Sequence, residues 1–285
     1  MAFRDAWDRL RVPAGLSAAD RPTHSAAFEP DPGRRPAARA AGGSRGRAVT
    51  SVGLVGGLGP ESTIDYYRRL LEAWERERPR SAPSIVIDSL DVQRGIRLVE
   101  RDRAGLIEYL AGSLRRLAGA GVDFAALTAN TPHLVFDELA ALSPVPLVSI
   151  VETCALEAKR RGLHRLALLG TRFTMEGAFY PNVFARHGLT LVPIAAEDVD
   201  WIHERYLGEL LNGDFRDETR RGFVERVARL REQSGIDAVI LGGTELPLLL
   251  RDSDIAGVPA LDTTALHIAA IVRRLLETGS SDARD

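Results

Sequence analysis

Short apolar runs alternate with longer amphipathic segments from residue 48 onwards. The runs SVGLVGG at 51–57 and SIVIDSL at 84–90 have the length and composition of buried strands. Between them, STIDYYRRLLEAWERER at 62–78 places apolar residues three and four positions apart, which is typical of an amphipathic helix. Strands that alternate with helices in this way predict a parallel sheet that is covered by helices on both faces.

The alternating pattern occurs twice, and the two copies are related by one constant offset. SVGLVGG at 51–57 matches RLALLGT at 165–171 after a shift of 114 residues. GVDFAALTANT at 121–131 matches GIDAVILGGTE at 235–245 after the same shift. A repeat of this length predicts two similar Rossmann-like, flavodoxin-like α/β domains that are related by pseudosymmetry.

The repeat and the local composition predict the domain boundaries. Residues 1–47 are rich in Ala, Arg, Pro and Gly and lack a periodic apolar face, so we expect a disordered extension. The first α/β domain then spans 48–147 and includes a C-terminal helix at 264–277. The second domain spans 148–263, and a short disordered tail follows at 278–285.

Small polar residues stand at equivalent strand ends in the two halves. They are Thr128–Thr131 in the first half and Gly242–Glu245 in the second. Ligands of open α/β sheets bind beyond the carboxyl ends of the strands, so two facing halves would enclose one cleft. The loop GLVGGLGPEST at 53–63 offers backbone N–H groups for an anion, but it lacks the spacing of a dinucleotide-binding loop and the lysine of a P-loop.

Composition excludes several classes of protein. A net charge of −2 gives no field that would attract nucleic acid or an acidic membrane. Cys154 is the only cysteine, which excludes a disulfide framework and a cysteine-rich metal site. The chain has no apolar run of about 18 residues, so no membrane span is expected and a cytoplasmic protein is predicted.

Five motifs together resemble the aspartate/glutamate racemase family. They are VGLVGGLGPESTIDYYR, ANTPH, LALLGTRFTMEGAFY, LGGTELPLLL and LDTTALH, spread from about residue 50 to residue 277. The form of the third motif is similar to the broad-specificity amino-acid racemase branch. The resemblance implies two Rossmann-like domains with the site between them, and catalysis without pyridoxal phosphate, metal or any other cofactor.

The chain departs from this family at the two catalytic positions. Racemases of the family use one cysteine from each half, in motifs that read CNT and GCTE. The corresponding residues here are Ala129 and Gly243, which are also related by the shift of 114. Neither a methyl group nor a hydrogen atom transfers protons, so racemisation by two thiols is excluded. Cys154 lies away from both strand ends and is predicted to be a packing residue.

Other groups are candidates for acid–base catalysis. His133 follows the first strand end and has an ordinary pKa near neutrality. Glu245 follows the second strand end, where burial would raise its pKa. His267 of the last helix and Asp91 after the second strand are further candidates. Each of these side chains has an alternative role, because a buried histidine or carboxylate often serves only to brace the neighbouring backbone.

The residues that bind substrate in the family are still present, and they favour a small carboxylate or amino acid as the partner. A homodimer is the candidate assembly. Three readings stay open. The first is a racemase or epimerase of small acidic amino acids that uses substitute bases. The second is an enzyme for one-sided chemistry on a carboxylate substrate, such as decarboxylation, isomerisation or elimination, and the third is a binding protein without catalysis. Arg94 is the candidate for a second substrate carboxylate, with surface solvation as the alternative. The other predicted binding residues are Gly57, Gly59, Ser62, Asn130, Thr131, Thr171, Thr174 and Thr244.

Overall fold

Two sheets form the framework that carries the candidate site. The computed structural model describes residues 50–252 and 254–277. The predicted N-terminal extension and C-terminal tail therefore lie outside the described residues. The two sheets follow one another along the chain, and each has helices between its parallel strands.

The first sheet has four strands, all parallel, in the order β2-β1-β3-β4. Its strands are β1 (Ser51–Gly56), β2 (Ser84–Ser89), β3 (Phe124–Leu127) and β4 (Leu147–Val148). Its helices are α1 (Pro60–Glu77), α2 (Val92–Arg101), α3 (Arg103–Gly119) and α4 (Phe136–Leu142), the last preceded by a 3-10 helix at Thr131–Val135.

The second sheet has five strands in the order β6-β5-β7-β9-β8, and only β8 at its edge runs antiparallel. Its strands are β5 (Arg165–Leu169), β6 (Thr190–Leu191), β7 (Ala238–Leu241), β8 (Asp254–Ile255) and β9 (Val258–Asp262). Its helices are α5 (Ile150–Arg160), α6 (Arg172–Met175), α7 (Phe179–Arg186), α8 (Ala196–Gly208), α9 (Asp217–Ser234) and α10 (Leu246–Leu249), with a 3-10 helix at Leu210–Asn212. The final helix, α11, spans Thr263–Glu277.

The strand register repeats with the offset found in the sequence. Val55 of β1 pairs with Leu127 of β3, and Leu169 of β5 pairs with Leu241 of β7. Both members of the second pair are 114 positions after those of the first, since 169 − 55 and 241 − 127 are both 114. When only the parallel strands are counted, the two sheets also share the strand order second-first-third-fourth, so the predicted fold class of two Rossmann-like α/β sheets is confirmed.

Helix α11 returns to the first sheet after the second sheet is complete. Ile268 and Ile271 belong to one buried apolar cluster with Val52, Leu54 and Phe124 of the first sheet. Strand β1 is buried along its whole length, which explains its continuous apolar sequence. This packing ties helix α11 to the strands of the first sheet.

Helix α2 is fixed at its start by a side-chain cap. The Asp91 carboxylate accepts hydrogen bonds from the backbone N–H groups of Gln93 (2.8 Å) and Arg94 (3.2 Å). A carboxylate at this position satisfies N–H groups that have no partner within the helix. Asp91, a candidate acid–base residue in the sequence, therefore acts here as an N-cap.

Candidate functional site

Residues that follow β3 and residues that follow β7 line a single cavity of about 70 Å³. Ala129 and Gly243 are both among them, together with Asn130, Thr131 and Thr244. The two positions related by the 114-residue repeat are thus brought to one site. A volume of this size holds a few water-sized groups, so the cavity suits a small ligand.

Glu245 and Tyr206 are the titratable side chains among the described residues that line this cavity. The Tyr206 hydroxyl donates a hydrogen bond to Oε2 of Glu245, and the Thr244 hydroxyl donates to the same oxygen at 3.2 Å. Both side chains are buried. Burial raises the pKa of Glu245, while the hydrogen bond from Tyr206 opposes that rise.

The Tyr206 ring occupies the space beside Gly243. A Cβ atom built on Gly243 would overlap the hydroxyl and the edge of this ring, with the ring carbon Cζ only 2.7 Å away. Gly243 has no positive φ angle, so this close approach is the physical reason for glycine here. The phenol therefore stands where a side chain at position 243 would begin.

The second oxygen of Glu245 lies against the loop after β1. A Cβ atom at Gly59 would overlap Oε1 of Glu245, so the absence of a side chain at Gly59 makes room for the carboxylate. The nearby Ser62 hydroxyl donates to the Gly59 carbonyl at 2.9 Å. Oε1 is itself buried there and makes no hydrogen bond of ordinary geometry among the described residues, although the adjacent Ser62 hydroxyl helps to lower the pKa of the carboxyl. Gly57 lies further back, where its N–H donates to the Thr63 hydroxyl at 2.9 Å.

Three threonine hydroxyls form a cluster that joins the two halves. Thr131 lies 3.0 Å from Thr171 and 3.2 Å from Thr174, and the latter two are 3.2 Å apart. Thr131 and Thr171 line the cavity, whereas Thr174 lies behind them and is buried. Hydroxyl groups rotate, so those of Thr131 and Thr171 can turn their protons toward an anion in the cavity.

The Asn130 side chain is held by hydrogen bonds to Tyr180 of α7 and to Thr263 at the start of α11. Its Oδ1 accepts a hydrogen bond from the Tyr180 hydroxyl at 2.7 Å, and its Nδ2 donates to Thr263 at 3.2 Å. One amide proton remains after these bonds. Asn130 therefore both fixes the end of β3 and retains one donor at the cavity that it lines.

His133 does not line the cavity, although the sequence made it a candidate base. Its Nδ1 lies 3.2 Å from the Ala129 carbonyl, and its Nε2 accepts a hydrogen bond from the Ile150 N–H at 3.3 Å. This arrangement requires the proton on Nδ1. Burial lowers the pKa of His133 to about 3, so the ring is neutral and braces the strand end against α5.

His267 is likewise used within the fold. Its Nδ1 accepts a hydrogen bond from the Tyr66 hydroxyl at 2.8 Å, and its Nε2 donates to the Val148 carbonyl at 3.0 Å. Burial lowers the pKa of His267 to about 4. The side chain does not line the cavity, and it links α11 to α1 and β4.

Arg94 and Cys154 also lie apart from the cavity. The Arg94 guanidinium stacks over the Tyr109 ring at 4.5 Å, in a shallow depression on the outer side of α2. Cys154 is fully buried in an apolar cluster, and burial raises the pKa of its thiol. The described residues contain no group of three or more His, Cys, Asp or Glu placed to hold a metal ion, and no helix among them could cross a membrane.

Tyr206 and the apolar lining of the cavity were not foreseen from the sequence. In α8, Val199, Ile202 and Tyr206 follow the spacing of a helix face that is buried in a core. That pattern predicts packing and gives no sign that the end of the Tyr206 ring reaches the site. A contact across 39 residues, from Tyr206 to Glu245, has no local signal.

Comparison with known families identifies the class of protein to which this chain belongs. The Asp/Glu/hydantoin racemase family model matches residues 55–271, and the chain belongs to this family. This finding confirms the resemblance seen in the five motifs.

Individual relatives carry related names. The broad specificity amino-acid racemase RacX of Bacillus subtilis is 28% identical over 149 residues, which span 50% of this chain and 63% of the relative. A Yersinia pestis protein of the Asp/Glu racemase type has a crystal structure that covers 80% of this chain and 99% of its own, with 30% identity and a TM-score of 0.72. An aspartate racemase homologue from Pyrococcus horikoshii covers 81% of this chain and 100% of its own, with 33% identity and a TM-score of 0.67.

Proposed function

We propose that this protein is a cofactor-independent enzyme that moves a proton at the carbon next to a carboxylate, from one face of a small substrate. Glu245 is the proposed acid–base group, and Tyr206 is its hydrogen-bond donor. The observation that carries the proposal is the position of this pair, which fills the space beside Gly243 in the cavity that Ala129 also lines.

The chemistry of Glu245 supports this role. An ionised Glu245 accepts the proton from the substrate carbon, and the resulting neutral carboxyl returns a proton to the same face. Burial raises the pKa of this carboxyl above the ordinary value of a glutamate, which is the direction that general acid–base catalysis requires.

The opposite face of the cavity supports one-sided chemistry. The family resemblance assigns a thiol to position 129, but the side chain here is a methyl group. None of the described residues that line the cavity, apart from Glu245 and Tyr206, carries a titratable side chain. Racemisation needs one acid–base group on each face of the substrate, and the described lining of the cavity has such groups only at Glu245 and Tyr206. This arrangement favours isomerisation, decarboxylation or elimination with protonation from one side.

The proposed binding groups for the substrate carboxylate are the rotatable hydroxyl protons of Thr131 and Thr171 and the remaining proton of the Asn130 amide. Thr131 and Thr171 come from the two halves and line the same cavity. Hydrogen bonds to a charged oxygen contribute about 1.5–3 kcal/mol each. Such donors hold the carboxylate and stabilise the negative charge that spreads onto it when the neighbouring carbon loses a proton.

The test is proton exchange in deuterium oxide, followed by NMR at the carbon next to the carboxylate for a panel of small carboxylates. The wild-type protein is expected to exchange at least one of them, and Glu245→Gln is expected to slow that exchange by about 10²–10⁴-fold. Cys154→Ala is the control and is expected to exchange like the wild type, because its thiol is buried away from the cavity.

Two outcomes would contradict the proposal. If calorimetry detects a bound carboxylate but the wild-type protein exchanges none of its protons, the chain is a binding protein. If Cys154→Ala loses exchange while Glu245→Gln keeps it, the active group has been misplaced.

A further inference from the structure

Helix α2 turns an apolar face toward the cavity. Val92, Ile96 and Val99 line it, and their spacing of four and three residues places them on one side of the helix. All three are only partly buried, so their apolar surface is available to a ligand. The charged side chain of Arg94 points to the other side of α2, over Tyr109.

Apolar side chains continue around the rest of the cavity. Leu58 comes from the loop after β1, Phe173 from α6, Leu207 from α8 and Leu211 from the 3-10 helix that follows α8. All four are partly buried rather than packed away in a core. Together with the face of α2, they form an apolar wall that both halves of the protein contribute to.

None of the described residues that line the cavity carries a positive charge. A ligand with a second carboxylate would have to lose the water around that group without gaining a cation in exchange. Among the described residues that form the lining, Glu245 alone has a side chain that can carry charge at neutral pH, and it repels a second negative charge when ionised. The cavity therefore opposes dicarboxylates and favours an apolar group against the wall.

We propose that the substrate is a small monocarboxylate or amino acid with an apolar side chain, and that aspartate and glutamate are excluded. This inference rests on the proposed function, because it places the substrate carboxylate at the threonine hydroxyls. The apolar side chain then lies against Val92, Ile96 and Val99, with the reacting carbon between Ala129 and the pair of Glu245 and Tyr206.

The experiment compares the binding of two probes of similar size by calorimetry. Succinate ends in a second carboxylate, whereas 4-methylpentanoate has an isopropyl group in its place, so two methyl groups replace two oxygen atoms. The wild-type protein is expected to bind 4-methylpentanoate at least about 30-fold more tightly, because the two methyl groups gain an apolar contact and no carboxylate is left unpaired. Leucine and aspartate provide the same comparison among amino acids.

A charge placed on the wall tests the position of the apolar group. Ile96→Lys is expected to weaken binding of 4-methylpentanoate about tenfold or more and to strengthen binding of succinate. Gln93→Lys adds the same charge to the exposed side of α2 and is expected to leave both affinities unchanged. Val99→Lys is the second wall variant, and circular dichroism establishes that each variant is folded.

The possible results separate this inference from the proposed function. Tighter binding of succinate by the wild-type protein would overturn the apolar-substrate inference and leave the carboxylate site standing. Equal effects of Ile96→Lys and Gln93→Lys would overturn the assignment of the wall. If neither probe nor either amino acid binds, the proposed carboxylate site itself is wrong.

Discussion

The Tyr206 hydroxyl fills the space in which a side chain at position 243 would begin. It donates to a buried carboxylate whose other oxygen lies against Gly59, a residue that also has no side chain. Two glycines thus make room for one pair of polar groups. At the scale of single residues, the proposed function moves the catalytic role from the thiol that the family resemblance assigns to position 243 to a carboxylate two positions later, Glu245.

The hydrogen bond from Tyr206 is expected to set the pH range of activity. It stabilises the ionised form of Glu245 and so lowers the pKa that burial has raised. Tyr206→Phe removes this bond, and the limb of the pH–rate profile that reports Glu245 is expected to move to higher pH. The exposed Tyr67→Phe is the control. A profile that stays in place for Tyr206→Phe would show that Glu245 does not titrate in catalysis.

Thiols introduced at positions 129 and 243 are expected to catalyse proton exchange only after Tyr206 is replaced by a smaller side chain. Ala129→Cys with Gly243→Cys forces the new side chain against the Tyr206 ring, and overpacking of this kind costs about 1–3 kcal/mol of stability. Adding Tyr206→Leu removes the overlapping atoms and is expected to add a component of exchange that iodoacetamide abolishes, beside the exchange through Glu245.

The measurements for this set are the free energy of unfolding in urea and the exchange rate in deuterium oxide. Equal stability of the double variant and the wild type would contradict the predicted overlap. A folded triple variant without thiol-dependent exchange would contradict the placement of positions 129 and 243 on opposite faces of the substrate.

At the scale of elements, two buried histidines fix the ends of strands. His133 joins the end of β3 to the start of α5, and His267 joins α11 to α1 and β4. Their sequence positions near the motifs predicted catalysis. His133 bonds to Ile150, which is 17 residues away in the sequence. His267 bonds to Val148 and Tyr66, which are 119 and 201 residues away. No local sequence pattern reveals contacts over these separations.

His267→Ala is expected to destabilise the fold by about 1–3 kcal/mol or more, because it leaves the Tyr66 hydroxyl and the Val148 carbonyl unpaired in the interior. Removal of the exposed ring of His164, by His164→Ala, is the control. Urea denaturation measures both variants. Equal midpoints for His267→Ala and the control would show that these hydrogen bonds do not hold α11 in place.

Regular features of the elements were predictable, whereas the wall of the cavity was not. The period of apolar residues predicted the alternation of strands and helices, and the offset of 114 located Ala129 and Gly243. The face of α2 that carries Ile96 looks like an ordinary core face in the sequence. Only the packing shows that this face borders a cavity, while Arg94 stacks outside it.

At the scale of the whole molecule, the neutral histidines predict a loss of stability in acid. Both have an ordinary pKa of 6.5 when unfolded, and burial lowers the pKa to about 3 for His133 and about 4 for His267. Between pH 6.5 and pH 4 the unfolded chain therefore binds protons that the folded chain does not. As the pH falls through this range, each histidine is expected to lower the free energy of unfolding by up to about 1.4 kcal/mol per pH unit.

The variant His267→Gln isolates one of these contributions, because glutamine can accept and donate hydrogen bonds but does not titrate. Its free energy of unfolding is expected to fall less steeply than that of the wild type between pH 6.5 and pH 4. Parallel pH dependences for the two proteins would mean that burial does not lower the pKa of His267 in the folded state.

The stereochemical course of exchange tests the central claim most directly. The claim is that Glu245 and Tyr206 act on one face of the substrate, opposite a methyl group that transfers no proton. In deuterium oxide, the wild-type protein is expected to place deuterium at the carbon next to the carboxylate in a single configuration, without inversion and without sensitivity to iodoacetamide. Deuterium that enters both configurations at similar rates would contradict the claim, because it requires a second acid–base group on the side of Ala129.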